Sequence, residues 1–272
     1  MDAYLVSHNG MGDNLYMIGA LNYIKLFYKN VYFLCKSKYY KNVKLFFDPS
    51  TNIICLPFDE KNEMNEIKKI ITSDKYVNDN IDIFVSGNHK GYLKNKITNK
   101  DFLNCKIIDK KYTIDWDTIN SNNYSFIEGL YKDINLNLTY YYEYFYLPST
   151  DESKKLYESV NKYYLIFIQY KSSTGETLNI SNLIKKYIND DNSILLCNDM
   201  NLYPETHKKH PLAQHFVYNK IINYLDTIKN CDEIYLIDSC FIGIVLPLLK
   251  TNKLKTKKIR IILRSQINKY IL

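Results

Sequence analysis

The sequence lacks most of the short signatures that assign a chemistry outright. It has neither a G-x-x-x-x-G-K-[ST] loop nor a G-x-G-x-x-G fingerprint, so a nucleotide-binding motif of either kind is unsupported. No Asp-x-Asp type pair stands where a metal-dependent transferase would need one, and the expectation is no metal and no bound cofactor. The six cysteines, Cys35, Cys55, Cys105, Cys197, Cys231 and Cys240, never form C-x-x-C and most sit inside apolar runs, as buried reduced thiols do. No run approaches the roughly 18 apolar residues of a membrane-spanning helix, and the N-terminus has no basic region followed by an apolar core. A soluble protein of a reducing compartment, the cytoplasm, is therefore expected, with membrane contact at most peripheral. There is no short-period repeat.

What is present is an ordinary globular composition, 46% hydrophobic and 24% charged, over 272 residues, enough for two α/β domains. The 27 tyrosines, with heavy use of Asn, Lys and Ile, read as the bias of an AT-rich genome, viral or microbial. The net charge of +7 is uneven, because Lys250, Lys253, Lys255, Lys257, Lys258, Arg260 and Arg264 crowd into one late stretch. No aromatic-interleaved motif accompanies them, so a solvated loop leading into a final strand is favoured over a nucleic-acid patch.

Strand-like and helix-like patterns alternate along the chain. "AYLVSH" reads as a buried strand and "DNLYMIGALNYIKLFY" as a helix; "NVYFLC", "NIICLP" and "IDIFVSG" follow as strands, with helices at "YYKNVKLFF" and "NEMNEIKKIIT". Residues 92 to about 140 are weaker, with one helix at "YSFIEGLYKDI". Leu147-Pro148-Ser149-Thr150-Asp151 resembles a boundary. Beyond it, strands at "YYLIFIQY", "SILLCN", "EIYLID" and "KIRIILR" alternate with helices at "ISNLIKKYI", "VYNKIINYLDTIKNC" and "CFIGIVLPLL". Two Rossmann-like α/β domains with parallel sheets, residues 1–148 and 149–272, are the simplest account.

Ligands of open parallel sheets bind beyond the carboxyl ends of the strands, so the residues that follow each strand carry the information. After the first strand come His8, Gly10, Gly12, Asp13 and Asn14, where glycines would let the backbone turn tightly at a helix start. On spacing alone, Asp13 reads first as an N-cap, worth about 1 kcal/mol. His89, with Ser86, Gly87, Asn88 and Lys90, follows another strand of this half and could line an acceptor site; Asn198 and Asp199 follow a strand of the second half and could reach a nucleoside. His207, His210 and His215 lack ligand partners at zinc spacing, and a surface loop is the simpler reading.

"GMGDNLYMIGALNYI" after an N-terminal strand resembles the opening of heptosyltransferase-like glycosyltransferases of family 9, enzymes of the GT-B type with two Rossmann-like domains facing a cleft. The resemblance implies that Asp13 is the base that deprotonates an acceptor hydroxyl, with Gly10 and Gly12 in its loop. "CDEIYLIDSCFIGIVLPLL" resembles the family's late element, whose helix start faces the donor diphosphate; the matching positions are Asp238, Ser239 and Cys240, the last usually glycine there. An ordinary helix cap is the competing reading of these residues. By position in the family, Lys171, Ser172, Ser173 and Thr174 would hold the diphosphate leaving group.

The function so implied is metal-independent, inverting transfer of a sugar from a nucleotide-sugar donor to a glycan or other hydroxyl acceptor, by a monomer or dimer. Two alternatives remain open: a non-catalytic Rossmann-like binding or assembly protein, and a two-domain nucleotide-sugar epimerase.

Overall fold

The computed structural model describes residues 1–7, 10–73, 81–87, 105–108, 123–264 and 272. They divide into two compact units, Met1–Pro148 and Ser149–Leu272. The first contains β1 (Asp2–Ser7), α1 (Met11–Tyr16), α2 (Ile18–Ile24), β2 (Val31–Lys36), α3 (Ser37–Val43), β3 (Ile53–Phe58), α4 (Glu63–Thr72), β4 (Ile81–Ser86), β5 (Cys105–Ile108), α5 (Asn123–Asp133) and α6 (Thr139–Glu143). Its strands form one parallel sheet of order β3-β2-β1-β4-β5.

The second unit contains α7 (Asp151–Glu158), β6 (Tyr164–Gln169), α8 (Ser181–Tyr187), β7 (Ser193–Cys197), α9 (His210–Gln214), α10 (Leu225–Asn230), β8 (Glu233–Ile237), α11 (Ile242–Lys250) and β9 (Lys258–Ile262). Its sheet, also parallel, has the order β7-β6-β8-β9. In each sheet the chain goes one way from its first strand and then returns to the other side. The reversal falls between β1 and β4 in the first unit and between β6 and β8 in the second, and such switch points are where open α/β sheets bind ligands.

Central strands are apolar along their whole length because both faces of a parallel sheet are covered. β1 and β4 are buried at every position. On one face, Tyr4, Val6, Tyr32, Leu34, Leu56, Phe58, Ile81, Ile83 and Val85 form a core with Ile67 and Ile71 of α4. Those two isoleucines are four residues apart and so share one helix face; burying each contributes about 1.5–3 kcal/mol.

The helix expected over residues 13–28 is instead broken at Met17 and ends at Ile24. The cause is Tyr131 of α5, whose buried hydroxyl donates to Tyr16 O (2.9 Å) and accepts from Ala20 N–H (3.0 Å). It sits in the gap of the i→i−4 ladder, a recognised cause of a helix break. Immediately beyond, α2 packs against α6 at Gly19, where a Cβ would lie 2.4 Å from Tyr140 O and 2.7 Å from Tyr141 Cα. Glycine is required there by close approach.

Two further expectations are corrected. The helix expected over 217–231 is confined to a 3-10 turn at Ile221–Tyr224 followed by α10. Tyr218 has φ 55°, its N–H is donated to Asn198 O, and the Tyr224 hydroxyl accepts from Asn219 N–H, so this segment is tied to the end of β7. The weakly patterned stretch supplies a strand, β5, whose four residues are too short for alternation to be visible.

Candidate active site

The loop after β1 leads straight into α1. Gly10 is the N-cap, with φ −71° and ψ 177°, and Asp13 is the third residue of the helix. Asp13 Oδ2 accepts from Gly10 N–H at 2.9 Å, the side chain reaching back as the carboxylate of a capping box does. Asn14, buried, donates from Nδ2 to Gly10 O at 2.8 Å. Asp13 is thus not the N-cap; the helix starts three residues earlier than a cap at Asp13 would place it. At φ −71° Gly10 needs no left-handed freedom, and a Cβ there would meet Asp13 Oδ2 at 3.4 Å. The half-buried carboxylate is held at the first turn of α1.

β4 ends beside β1, with Ser7 and Ser86 in register. Gly87 follows at φ 88° and donates its N–H to Asp133 Oδ2 at 2.8 Å, while Ser86 Oγ donates to Leu130 O. Both bonds run to α5, which fixes where this strand stops. His8 and His89, with Asn9, Asn88 and Lys90, lie outside the described residues.

In the second unit, the residues after β6 form a small closed hairpin. Lys171 pairs with Thr177, Ser172 N–H donates to Glu176 O (2.9 Å), and Leu178 N–H donates to Tyr170 O (3.0 Å). Gly175 turns it at φ 101°, the left-handed region that favours glycine. Inside the turn, the Ser172 and Thr174 hydroxyls both donate to Glu176 Oε2, and the backbone N–H groups of Thr174 and Glu176 donate to Ser172 Oγ at 3.2 Å. These hydroxyl donors hold the Glu176 carboxyl down to about 2.

The end of β7 anchors this hairpin. Asp199 Oδ2 accepts from Lys171 N–H and Oδ1 from Asn198 Nδ2, each at 2.9 Å, and burial pushes the Asp199 carboxyl above the usual aspartate range. Asp199 therefore acts on the loop's backbone. Lys171, expected to meet the diphosphate, is exposed, and the contact that places it is made by its backbone N–H.

After β8, Asp238 N–H donates to Ile262 O (2.9 Å), Ser239 O accepts from Ile242 N–H (3.1 Å), and α11 begins at Ile242. The N-cap position of that helix is Phe241, so Asp238 and Ser239 lie in the turn that leads from β8 into it. Cys240 lies against Gln169 at the end of β6, receiving a hydrogen bond from Nε2 at 3.5 Å. Burial raises the Cys240 thiol to about 11, which keeps it protonated and non-nucleophilic near neutral pH. Gln169 is 2% exposed, and its Oε1 has no partner among the described residues. A buried acceptor left unmet costs about 1–3 kcal/mol, which a water or ligand would relieve.

One residue of the basic stretch belongs to this end of the sheet. Arg264, two positions past β9, donates from Nε to Asp238 O (2.8 Å), from Nη1 to Thr174 Oγ1 (3.0 Å) and from Nη2 to Ser173 Oγ (3.5 Å). It joins the ends of β6, β8 and β9. The sequence signal was its position directly after a strand, obscured by the neighbouring lysines. Those behave as a solvated stretch: Lys253, Lys255 and Lys258 are exposed, and Lys257 pairs with Asp232 at the amino end of β8.

The His207–His215 segment is not simply a surface loop. Lys209 is buried, donating from Nζ to Ser193 O (2.6 Å) and to Asp190 O, and His207 Nδ1 accepts from Lys209 N–H while its ring stacks on Tyr203. Among the described residues no three His, Cys, Asp or Glu side chains come together as a metal site. Cys35, Cys197 and Cys231 are buried free thiols, and no described helix is long and apolar enough to cross a membrane.

Two parallel sheets in this order, each with its chemistry-bearing loops at the switch point, can be set beside solved structures. The family 9 glycosyl transferase from Veillonella parvula DSM 2008 matches with TM-score 0.55 at 12% identity, over 90% of this chain and 78% of that one. The fold is that of heptosyltransferase-like glycosyltransferases. E. coli ADP-heptose lps heptosyltransferase II matches with TM-score 0.55 at 11% identity, over 96% of this chain and 90% of that one. E. coli heptosyltransferase WaaC with ADP matches with TM-score 0.51 at 10% identity, over 97% and 91%. No protein-family model matches the sequence, and no curated protein does. At these identities the heptosyltransferase likeness is one of fold.

Proposed function

We propose that this chain is a glycosyltransferase that moves a sugar from a nucleotide-sugar donor to a hydroxyl acceptor by a single inverting displacement, without a metal. The observation that carries the proposal is Asp13, a carboxylate fixed at a helix start beyond β1, at the switch point of a sheet whose fold is that of glycosyltransferases. In the proposed step Asp13 takes the proton of the acceptor hydroxyl as its oxygen bonds to the anomeric carbon. The bond from that carbon to the β-phosphate oxygen breaks, and the nucleoside diphosphate leaves with the electron pair.

The Gly10–Asp13 hydrogen bond serves this role. It orients the carboxylate by engaging Oδ2. The second unit offers Lys171, the Ser173 hydroxyl and the hairpin closed by Ser172 and Thr174, with the Asp238–Cys240 segment, Asn198 and Asp199, as the donor side, and glycan-like molecules are the acceptor class.

The same bond also favours a second reading, a non-catalytic binding protein in which Asp13 only caps α1. A donor panel separates them: purified protein is incubated with nucleotide-sugars differing in base and sugar, with and without hydroxyl acceptors, and release of nucleoside diphosphate is followed. Turnover of one donor is the expected result. Neither binding nor turnover across the panel, with Asp13→Ala lowering only thermal stability, would sink the transferase reading.

A further inference from the structure

We propose that Arg264 is the side chain that grips the diphosphate of a bound nucleotide, and that it makes the second unit discriminate nucleoside diphosphates from monophosphates. The inference rests on the nucleotide-sugar reading above and goes beyond it in assigning the anion to a residue outside the segments that resemble the family.

The geometry is of a fork held at its base. Nε is fixed on Asp238 O at 2.8 Å, which sets the guanidinium plane at the end of β8, and Nη1 is fixed on Thr174 Oγ1 at 3.0 Å. Thr174 commits its own proton to Glu176, so its oxygen presents a lone pair to the arginine. Nη2 is the loosest of the three, meeting Ser173 Oγ at the 3.5 Å limit of a hydrogen bond. A guanidinium has five N–H donors, and its planar edge matches two oxygens of a phosphate. The Nη2 edge and the exposed Ser173 hydroxyl are therefore the groups best placed to exchange their long mutual contact for phosphate oxygens.

Lys257 and Lys258 cannot take this part, because they stand at the amino end of β9, near Asp232 and Glu233. Asp199 holds Lys171 by its backbone N–H, which leaves the exposed Lys171 side chain as a second cation at this end of the sheet.

An independent observation indicates a ligand at the same end of the sheet. Gln169 Oε1, in a residue only 2% exposed, has no partner among the described residues, and its amide lies on Cys240 just before α11. That acceptor calls for a hydrogen-bond donor. A nucleotide brings both complements, anionic oxygens for Arg264 and hydroxyl or amine donors for Gln169.

The test is isothermal titration of the full chain with nucleosides, nucleoside monophosphates and nucleoside diphosphates of the four common bases, for wild type, Arg264→Gln, Arg264→Lys and the control Lys258→Gln. The wild type is expected to bind one diphosphate at least about tenfold more tightly than its monophosphate. Arg264→Gln should lose about 10- to 100-fold for the diphosphate and little for the nucleoside, as removal of charge-assisted bonds predicts. Arg264→Lys keeps the charge and loses the fork, so it should fall between; it also serves if the Gln variant unfolds. Lys258→Gln should match the wild type.

Diphosphate affinity in both Arg264 variants within about twofold of the wild type, against the charge-assisted bonds assigned here, would overturn the assignment and leave the donor reading standing. A wild type that binds no nucleotide would overturn both.

Discussion

Replacing Gly19 by alanine sets two physical effects against each other. In a helix interior, alanine is favoured over glycine by about 1 kcal/mol, so propensity alone predicts a more stable protein. The packing predicts the reverse. The new Cβ would stand 2.4 Å from Tyr140 O, 2.7 Å from Tyr141 Cα and 2.8 Å from Tyr141 O, all backbone atoms that no side-chain rotation can move. Restoring ordinary contact requires α2 and α6 to separate by about 1 Å. That separation pulls on the Tyr23–Tyr140 stack, whose centroids are 4.1 Å apart, and on the Asn22 Nδ2 hydrogen bond to Tyr146 O. Overpacking of this kind costs about 1–3 kcal/mol, and a clash with three backbone atoms belongs at the upper end or beyond. After the propensity gain, the net loss should be about 2 kcal/mol, a fall in Tm of about 4–8 °C. Urea unfolding followed by far-UV circular dichroism, with a thermal melt, measures it. A variant as stable as the wild type, or more so, would refute the claim that close helix approach fixes this glycine.

Tyr131→Phe should destabilise the first unit by about 1–3 kcal/mol, because Tyr16 O and Ala20 N–H lose their shared hydroxyl in a buried place; urea midpoints check this, and an unchanged midpoint would show that the helix closes its own ladder. Glu176 should stay ionised far into acid. Its folded carboxyl lies at about 2, against an ordinary 4.5, so it stabilises the hairpin above the ordinary value and that contribution is lost as pH falls through about 2. A carboxyl NMR titration midpoint near 4.5 would show that the hydroxyl clamp does not form in solution.

Much of the fold could be read from the sequence because parallel strands buried on both faces leave continuous apolar runs, such as "YLVS" and "YLIFIQ". Where reading failed, the deciding contact was distant. Nothing near Met17 announces that Tyr131 will interrupt the helix there, and the periodicity of residues 217–231 says nothing about Tyr224 reaching Asn219. The loops were located by the strand-end rule, but their internal roles were not: Asp199 faces a backbone N–H, and Arg264 was masked by lysines that belong to the other end of the strand. For Asp13, the choice between cap and base was drawn too sharply, since its carboxylate reaches Gly10 from the third helical position and not from the cap.

That residue gives the most direct test. Asp13→Asn keeps a side-chain oxygen able to accept from Gly10 N–H but is no base, so it separates the two roles that Asp13→Ala removes together. With the donor found by the panel and a saturating acceptor, the account predicts a fall in kcat of about 100-fold or more with near wild-type thermal stability. A kcat equal to the wild type in a folded Asp13→Asn protein would contradict it.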